Sequence, residues 1–285
     1  MLAYYQKKKN KMKTNNNFKS TFLAVAFFGV MICAAFSVAH AQNDTVNPLF
    51  STTGPNVMGA KHIQWNSAVD YYHFNVRNIQ GFDANLHCVG LSTGLRFGIG
   101  SHAELTLNVR GTYNTWDTVY LRNTTGIYPS VGAKLLLFEG KGILPQTSFY
   151  THVGYGAYQN AFVDRWDQTI QPEIGFQFRN RIGQRWVIDY ELGYGWDRYS
   201  VNAYDFNTGL LFSLYGRWLA TDRLMLSVGG SNINSPGRPV GSFEACWQAR
   251  PDLQLTLQAG VSGSKGDIGS DTQINTLVGV NWMIR

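Results

Sequence analysis

Apolar and polar residues alternate along most of the chain, and this alternation is the feature that most constrains its fold. In the stretch 253–262 (LQLTLQAGVS) every second residue is apolar, and the residues between them are polar or glycine. Similar alternation occurs in 86–99, 103–113 and 186–196. Successive side chains of a β-strand point to opposite faces, so each stretch predicts a strand with one apolar and one polar face.

Twelve such stretches occur between residue 62 and the end of the chain. Most of them are longer than the roughly 5–6 residues of an ordinary globular strand, and they match the roughly 9–11 residues of a tilted strand that crosses a membrane. We detect no convincing helix and no domain linker between them. The predicted strands are 62–74, 86–99, 103–113, 128–138, 147–158, 169–179, 186–196, 206–219, 223–230, 241–249, 253–262 and 272–284.

The connections between these strands alternate between short turns and long polar loops. The short set comprises 101–102, 139–146, 180–185, 221–222 and 250–252, of which 139–146 is the longest. The long set comprises 75–85, 114–127, 159–168, 197–205, 231–240 and 263–271. Short periplasmic turns and longer extracellular loops are typical of bacterial outer-membrane barrels. We therefore predict an all-β fold, an antiparallel transmembrane β-barrel of about twelve strands over residues 62–285.

The N-terminus has the features of a secretory signal peptide. Residues 1–41 contain six lysines and no acidic residue, and an apolar run occupies 21–38. The run ends in Ala-His-Ala at 39–41, which is a small-residue cleavage pattern. We expect 1–41 to be removed and 42–61 to form a short periplasmic N-terminal segment before the barrel. A retained membrane helix is the alternative, and translation could start at either of two methionines, Met1 or Met12.

The net charge of +6 belongs to the presequence. With those six lysines taken from the 24 Lys and Arg, the rest of the chain has 18 basic and 18 acidic residues. This balance gives no support for a nucleic-acid partner, which would need a basic patch on the folded part. After Gln42 there is no apolar stretch of about 18 residues that would form a membrane helix. Cys88 and Cys246 alone do not make a disulfide framework.

A soluble β-sandwich also alternates, but its solvent face is usually rich in Lys, Glu and Thr. Here the polar face carries mainly Gly, Ser, Asn and Gln, and the other face carries Leu, Val, Phe, Tyr and Trp. Tryptophans near strand ends or in the apolar phase are suited to the aromatic girdles of a membrane barrel. These tryptophans are Trp65, Trp186, Trp196, Trp218, Trp247 and Trp282.

Five stretches carry a resemblance to a known family. They are 95–107 (LRFGIGSHAELTL), 131–153 (VGAKLLLFEGKGILPQTSFYTHV), 171–197 (QPEIGFQFRNRIGQRWVIDYELGYGWD), 215–226 (YGRWLATDRLML) and 251–261 (PDLQLTLQAGV). In order and spacing, residues from about 90 to 285 resemble a family of outer-membrane transporters named for the MetA pathway of phenol degradation. The resemblance implies a barrel in the bacterial outer membrane with a transport role, and it supplies no catalytic residues.

The polar phase of the strands holds charges of both signs, which we predict to face the lumen. The candidate lumen-lining residues are Asp70, Arg96, Glu104, Arg110, Lys134, His152, Glu173, Asp189, Glu191, Arg217 and Glu244, and Arg179 falls in the same phase. If the turn at 100–102 closes a hairpin centred near Gly100, Arg96 lies directly opposite Glu104 as an inward ion pair. Twelve strands ~4.8 Å apart and tilted by ~40° leave a passage on the order of 10 Å, so such charges either line a path or brace a narrow barrel.

Some outer-membrane barrels are enzymes, so we looked for the residues that such an enzyme would need. A lipid-modifying barrel enzyme needs Ser and His within hydrogen-bond reach on the lipid face. His73 and His87 both fall in the outward phase and would face each other, but the nearest outward Ser or Thr in those strands is about 20 Å away. Glu173 and Glu191 are inward on neighbouring strands, and we interpret them as solvated wall residues. We predict no catalytic, metal or cofactor site.

Two functions fit these observations, and a third is more distant. The first is passive transport of a small solute, for which a hydrophobic one is a candidate. The second is a structural or surface-interaction barrel with a closed lumen, and the distant third is a lipid-modifying enzyme. The expected partners are outer-membrane lipids, the barrel-assembly machinery during biogenesis and an unidentified small solute.

Overall fold

The computed structural model describes residues 54–79, 82–141, 143–198, 206–231, 240–266 and 269–284. The predicted signal peptide and the first part of the predicted N-terminal segment, 42–53, lie outside the described residues. Within these ranges, no helix combines the length and the apolar character needed to cross a membrane.

Twelve antiparallel strands close into a barrel. Each strand pairs with its neighbours in sequence, and β1 closes the barrel on β12. Closure gives each of the twelve described strands a neighbouring strand on both sides, so none of them is an edge strand. The strands are β1 Ile63–Ile79, β2 Phe82–Ile99, β3 Ala103–Trp116, β4 Thr124–Phe138, β5 Gln146–Gln159, β6 Trp166–Ile182, β7 Trp186–Arg198, β8 Phe206–Thr221, β9 Leu224–Ser231, β10 Val240–Arg250, β11 Leu253–Gly266 and β12 Gly269–Ile284. The predicted twelve-stranded barrel is confirmed.

Several strands are longer than the alternation predicted, and the extra residues lie at the end with the long connections. There β1 continues to Ile79, β4 begins at Thr124 and β12 begins at Gly269. The alternation of apolar and polar side chains ends where the lipid-facing surface ends. Backbone hydrogen bonding continues for as long as two neighbouring strands run side by side, so the strands extend beyond the alternating stretches. We call this the loop end of the barrel, and we call the opposite end, with connections such as 100–102 and 183–185, the turn end.

The outward face of the strands is apolar and exposed. Leu107 is 48% exposed, and many other aliphatic side chains in the same phase are similarly open. A contiguous apolar surface of this extent needs a lipid neighbour. Exposed aliphatic residues of this face include Val69, Val89, Leu91, Leu105, Val109, Leu192, Leu210, Leu214, Leu255, Leu257, Val261, Ile274 and Val278.

Tryptophans mark the boundary of this apolar face at the turn end. Trp186 lies opposite Trp218, and their rings stack with centroids 6.0 Å apart. Trp65 lies opposite Trp282 at the same end. Tyr194 is eight residues further along β7, and eight residues of a strand tilted by about 40° span roughly 20 Å of the barrel axis, close to the apolar height of about 25 Å known for such barrels.

Candidate functional site

The predicted lumen-lining residues all lie on the inward side of the strands. The buried ones are Asp70, Arg96, Glu104, Lys134, Asp189, Glu191 and Arg217. The half-buried ones are Arg110, His152, Glu173 and Glu244. The buried charges therefore lie mainly near the turn end of the barrel. The half-buried residues Arg110, His152 and Glu173 lie further toward the loop end.

A three-residue ion cluster occupies the turn end beneath β2, β3 and β4. The Arg96 guanidinium contacts both carboxylate oxygens of Glu104, at 2.7 Å and 2.9 Å from Nη2. The Lys134 ammonium lies 3.7 Å from Glu104 Oε1. All three side chains are buried, which is tolerable for charges only when they are paired.

The predicted register of the Arg96–Glu104 pair is wrong, although the ion pair is present. Arg96 lies opposite Thr106, and Glu104 lies opposite Gly98 on β2 and Lys134 on β4. The cause is the position of the turn, which is centred on Ser101 and not on Gly100: Ile99 pairs with Ala103, and Gly100 adopts a φ of 66°. Arg96 therefore reaches Glu104 diagonally rather than directly across the strands.

A second chain of ion pairs crosses β6, β7, β8 and β10 at the same level. Arg179 Nε donates to Asp189 Oδ1 at 2.6 Å, and Arg217 Nε lies 2.7 Å from Asp189 Oδ2. Arg217 Nη1 then donates to Glu244 Oε1 at 3.2 Å and to Ser227 Oγ at 3.1 Å. Because each buried charge has an opposite partner, loss of one member costs about 3–5 kcal/mol by leaving the other uncompensated.

The carboxylates of Glu173 and Glu191 are not brought together. Glu173 lies opposite Gly195 on β7, and on its other side it faces His152, whose Nδ1 is 3.8 Å from the Glu173 carboxylate. Glu191 instead accepts a hydrogen bond from Gln177 Nε2 at 2.9 Å. Glu173 and Glu191 therefore do not form the close pair of carboxylates that acid–base catalysis would use.

The residues just before β1 lie inside the barrel, which the sequence did not suggest. We call Gly54–Lys61 the inner segment. Its main chain is held by the ion clusters: Lys134 Nζ donates to Gly54 O at 2.8 Å, and Met58 N donates to Glu104 Oε2 at 2.8 Å. Arg96 Nη2 donates to Asn56 O at 3.5 Å.

The inner segment runs across the turn end from one wall to the other. At Gly54, a side-chain carbon would lie 2.7 Å from Arg179 Nη2 on β6. At its other end, Gly59 approaches β2 so closely that a side-chain carbon on Gly98 would lie 1.9 Å from Gly59 O. A turn closed by His62 N donating to Gly59 O then leads the chain into β1. Pro55 and Met58 are buried in this position.

The loop-end half of the interior is polar, and several of its larger side chains are half-buried rather than buried. Arg110 binds Asp70 through two hydrogen bonds, Nε to Oδ1 at 3.2 Å and Nη2 to Oδ2 at 2.6 Å. Three tyrosines, Tyr72, Tyr128 and Tyr158, lie near this pair and are half-buried. The sequence analysis did not single them out, and the available signal was their inward phase near the ends of strands that flank long loops.

The lipid-facing histidines meet as predicted, but the structure adds a hydroxyl. His73 lies opposite His87 with ring centroids 4.8 Å apart. Tyr71, which the search for Ser and Thr overlooked, places its hydroxyl 2.7 Å from His87 Nδ1. A neutral phenol is a poor nucleophile beside imidazole, so this contact does not form a Ser–His arrangement. Over the ranges that the structure describes, no three His, Cys, Asp or Glu side chains are grouped as metal ligands.

Comparisons with known proteins bear on the fold. No protein-family model and no curated protein matches the chain. An outer-membrane channel from Pseudomonas putida F1 matches in structure with a TM-score of 0.60 and 12% identity, over 84% of this chain and 100% of the channel. The translocator domain of the autotransporter NalP from Neisseria meningitidis matches with a TM-score of 0.50 and 12% identity, over 93% and 97% of the two chains. The β domain of the Bordetella autotransporter BrkA matches with a TM-score of 0.50 and 15% identity, over 78% and 98%.

At these identities the likeness concerns the fold. Together with the lipid-facing surface and the closed sheet, it places the chain in the class of bacterial outer-membrane β-barrels. Within that class it is a twelve-stranded barrel whose turn end is filled by its own inner segment and by paired charges. The fold and outer-membrane location implied by the family resemblance are thereby confirmed.

Proposed function

We propose that this barrel mediates passive transport of a small, uncharged solute across the outer membrane. The observation that carries the proposal is the difference between the two halves of the interior: Arg110 and three tyrosines are half-buried in the loop-end half, whereas the inner segment crosses the turn-end half. We call the loop-end half the vestibule and the part crossed by the inner segment the constriction. A solute would enter the vestibule from the loop end and stop at the constriction. The solved channel from Pseudomonas putida F1 supports the proposal, because that protein is a channel built on a similar barrel.

The pairing of interior charges is the reason for proposing an uncharged solute. Arg96, Arg179 and Arg217 each contact a carboxylate, and Arg110 contacts Asp70. Ion-selective pores present rings of like charge that attract the opposite sign. Paired charges produce a much weaker field along the axis, so an ion would lose its hydration without a compensating partner.

The constriction is of a kind that can open without breaking the barrel. Hydrogen bonds to charged groups contribute about 1.5–3 kcal/mol each, so the three contacts that hold the inner segment amount to several kcal/mol in total. The wall is held by the backbone ladders of twelve strand pairs, which are far more numerous. Displacement of the inner segment is therefore the least costly way to extend the vestibule into a passage.

The alternative function is a structural or surface-interaction barrel with a closed lumen. The same inner segment favours it, because buried ion pairs at both of its ends brace the wall from within. In that case the long loops would carry the activity. The two functions differ in one respect that can be measured, namely whether solute crosses the barrel.

Solute uptake into liposomes tests the proposal. The variant Arg96→Ser/Glu104→Ser removes an interior ion pair together with two of the three contacts to the inner segment. A matched control is Arg250→Ser/Asp252→Ser, which removes an exposed Arg–Asp pair with a 2.8 Å contact at the turn end.

We expect slow uptake of small uncharged solutes by the wild type, uptake at least several-fold faster by the interior variant, and wild-type uptake by the control. Absence of uptake by the wild type and the interior variant alike, with both proteins correctly folded, would instead establish the closed barrel. Folding is checked by the heat-dependent change in electrophoretic mobility that is usual for such barrels.

A further inference from the structure

One group of side chains in the loop-end half of the interior combines an arginine with three tyrosine rings. Arg110 on β3 lies directly opposite Tyr128 on β4. Its guanidinium carbon is 5.3 Å from the centroid of the Tyr72 ring. Tyr158 on β5 continues the group, since its ring stacks with that of Tyr128. We call the three rings, Tyr72, Tyr128 and Tyr158, the tyrosine wall.

Arg110 differs from the other interior arginines in its access to solvent. Its side chain is 34% exposed, whereas those of Arg96 and Arg217 are 5% and 1% exposed. Nε and Nη2 bind Asp70, which fixes the plane of the guanidinium. A positioned donor that is still accessible is what a binding site for a hydrogen-bond acceptor requires.

Two glycines hold the Tyr128 ring against the barrel wall. A side-chain carbon on Gly126 would lie 2.8 Å from Tyr128 Cε2, and one on Gly156 would lie 2.9 Å from Tyr128 Cδ1. The ring therefore rests over both glycines, in space that any larger residue would occupy. Its centroid is 6.4 Å from that of Tyr158, with the two planes 15° apart. The planes of the two rings are thus nearly parallel.

The charges around this surface select against an anion. Asp70 neutralises Arg110, and the Glu173 carboxylate lies further down the wall beside His152. A solute carboxylate at Arg110 would thus approach the Asp70 carboxylate as well, and like charges at short range repel. A neutral oxygen accepts a hydrogen bond from the guanidinium without that penalty.

We propose that the tyrosine wall and Arg110 form a binding site for a small, uncharged aromatic compound that carries a hydroxyl or carbonyl oxygen. The solute ring packs against the Tyr128–Tyr158 surface, and its oxygen accepts a hydrogen bond from Arg110. Aromatic pairs attract each other beyond the effect of their buried area, so an aromatic ring binds these tyrosine rings better than a saturated ring of the same size. The inference rests on the proposed function only in that the solute enters from the loop end.

Direct binding to the purified, refolded full-length barrel tests the site. The probe is benzyl alcohol, measured by saturation-transfer NMR in detergent micelles. Two compounds of similar size serve as comparisons, cyclohexylmethanol without the aromatic ring and benzoate with a charge. We expect saturable binding of benzyl alcohol and at least threefold weaker binding of both comparison compounds.

Two interior variants locate the binding. Tyr128→Leu removes the ring, and Gly156→Ala displaces it by placing a methyl group 2.9 Å from Tyr128 Cδ1. Both should weaken benzyl alcohol binding at least fivefold. The control is Tyr155→Leu on the same strand, because Tyr155 points to the lipid and is 39% exposed. Its binding should equal that of the wild type, which separates the interior site from partition into the micelle.

Equal binding by the wild type and a folded Gly156→Ala or Tyr128→Leu variant would overturn the site, as would equal binding of cyclohexylmethanol. The liposome uptake experiment fails independently of this one. Variant-sensitive binding without uptake keeps the site and removes the transport function. Uptake by liposomes with variant-insensitive binding keeps the transport function and removes the site.

Discussion

Gly98 shows how a single residue controls the interior of this barrel. Its Cα faces the carbonyl of Gly59 at a range that leaves no room for a side chain, since an added carbon would lie 1.9 Å from Gly59 O. The contact is with main-chain atoms, which cannot rotate away as a flexible side chain can. A residue with no side chain is therefore required on β2 for the inner segment to pass.

We predict that Gly98→Ala displaces the inner segment while leaving the barrel closed. The added methyl group collides with the segment, whose few hydrogen bonds are weaker than the strand ladders on either side of Gly98. Displacement is measured as faster cleavage near residues 54–61 by a protease added from the turn end. Gly111→Ala is the control, because the nearest atom to its added carbon is 4.0 Å away. Equal cleavage of the two variants would show that the close approach at Gly98 is unimportant.

Leu107 and Asn108 test the assignment of the two faces at the scale of one residue. Leu107 is 48% exposed on the outer surface, while the Asn108 side chain lies inside, against the space left by Gly94. An arginine in the lipid near the midplane costs about 2–4 kcal/mol, and a lumen position allows the charge to stay hydrated. Leu107→Arg should therefore reduce the folded, membrane-inserted fraction more than Asn108→Arg. The opposite order, or equal losses, would contradict the orientation of β3.

At the scale of the strand, alternation contains most of the information about the fold. The two-residue repeat specifies which side chains face lipid. Inside a membrane every backbone amide must be hydrogen-bonded, so long alternating strands must form a closed barrel. The number of strands and their order follow from this. Register does not follow as securely, and Arg96 is the example: because the turn is centred on Ser101 rather than Gly100, Arg96 lies opposite Thr106 and not opposite Glu104.

The inner segment illustrates why part of the site could not be predicted. It is held through the Gly54 and Asn56 carbonyls and the Met58 amide, which are groups that every residue other than proline possesses. Contacts of the main chain leave no pattern in the sequence. The charged partners were visible in the inward phase of the strands, but the chain that they bind was not.

The tyrosine wall was missed for a different reason. Alternation places Tyr72, Tyr128 and Tyr158 inside, yet it does not distinguish an aromatic ring that fills space from one that lines it. Which of the two applies depends on the neighbouring residues. Here Gly126 and Gly156 have no side chains, and the Tyr128 ring packs against the wall in the space that is left. Such combinations depend on the register of β4 with β5, which becomes known only in three dimensions.

At the scale of the whole molecule, the two halves of the barrel interior differ. The turn end contains the buried ion clusters and the inner segment, while the loop end contains half-buried tyrosines and the accessible Arg110. A solute that enters between the long loops reaches the tyrosine wall before it reaches the constriction. The proposed transport then requires only that the inner segment leave the turn end.

Single-channel conductance in a planar bilayer tests this account most directly. The wild-type protein is compared with a variant that lacks residues 42–58, which removes every inner-segment contact to Glu104, Lys134 and Arg96 while keeping all twelve strands. We predict a small or absent conductance for the wild type and one at least several-fold larger for the shortened protein. Equal conductance of the two correctly folded proteins would contradict the claim that the inner segment closes the passage.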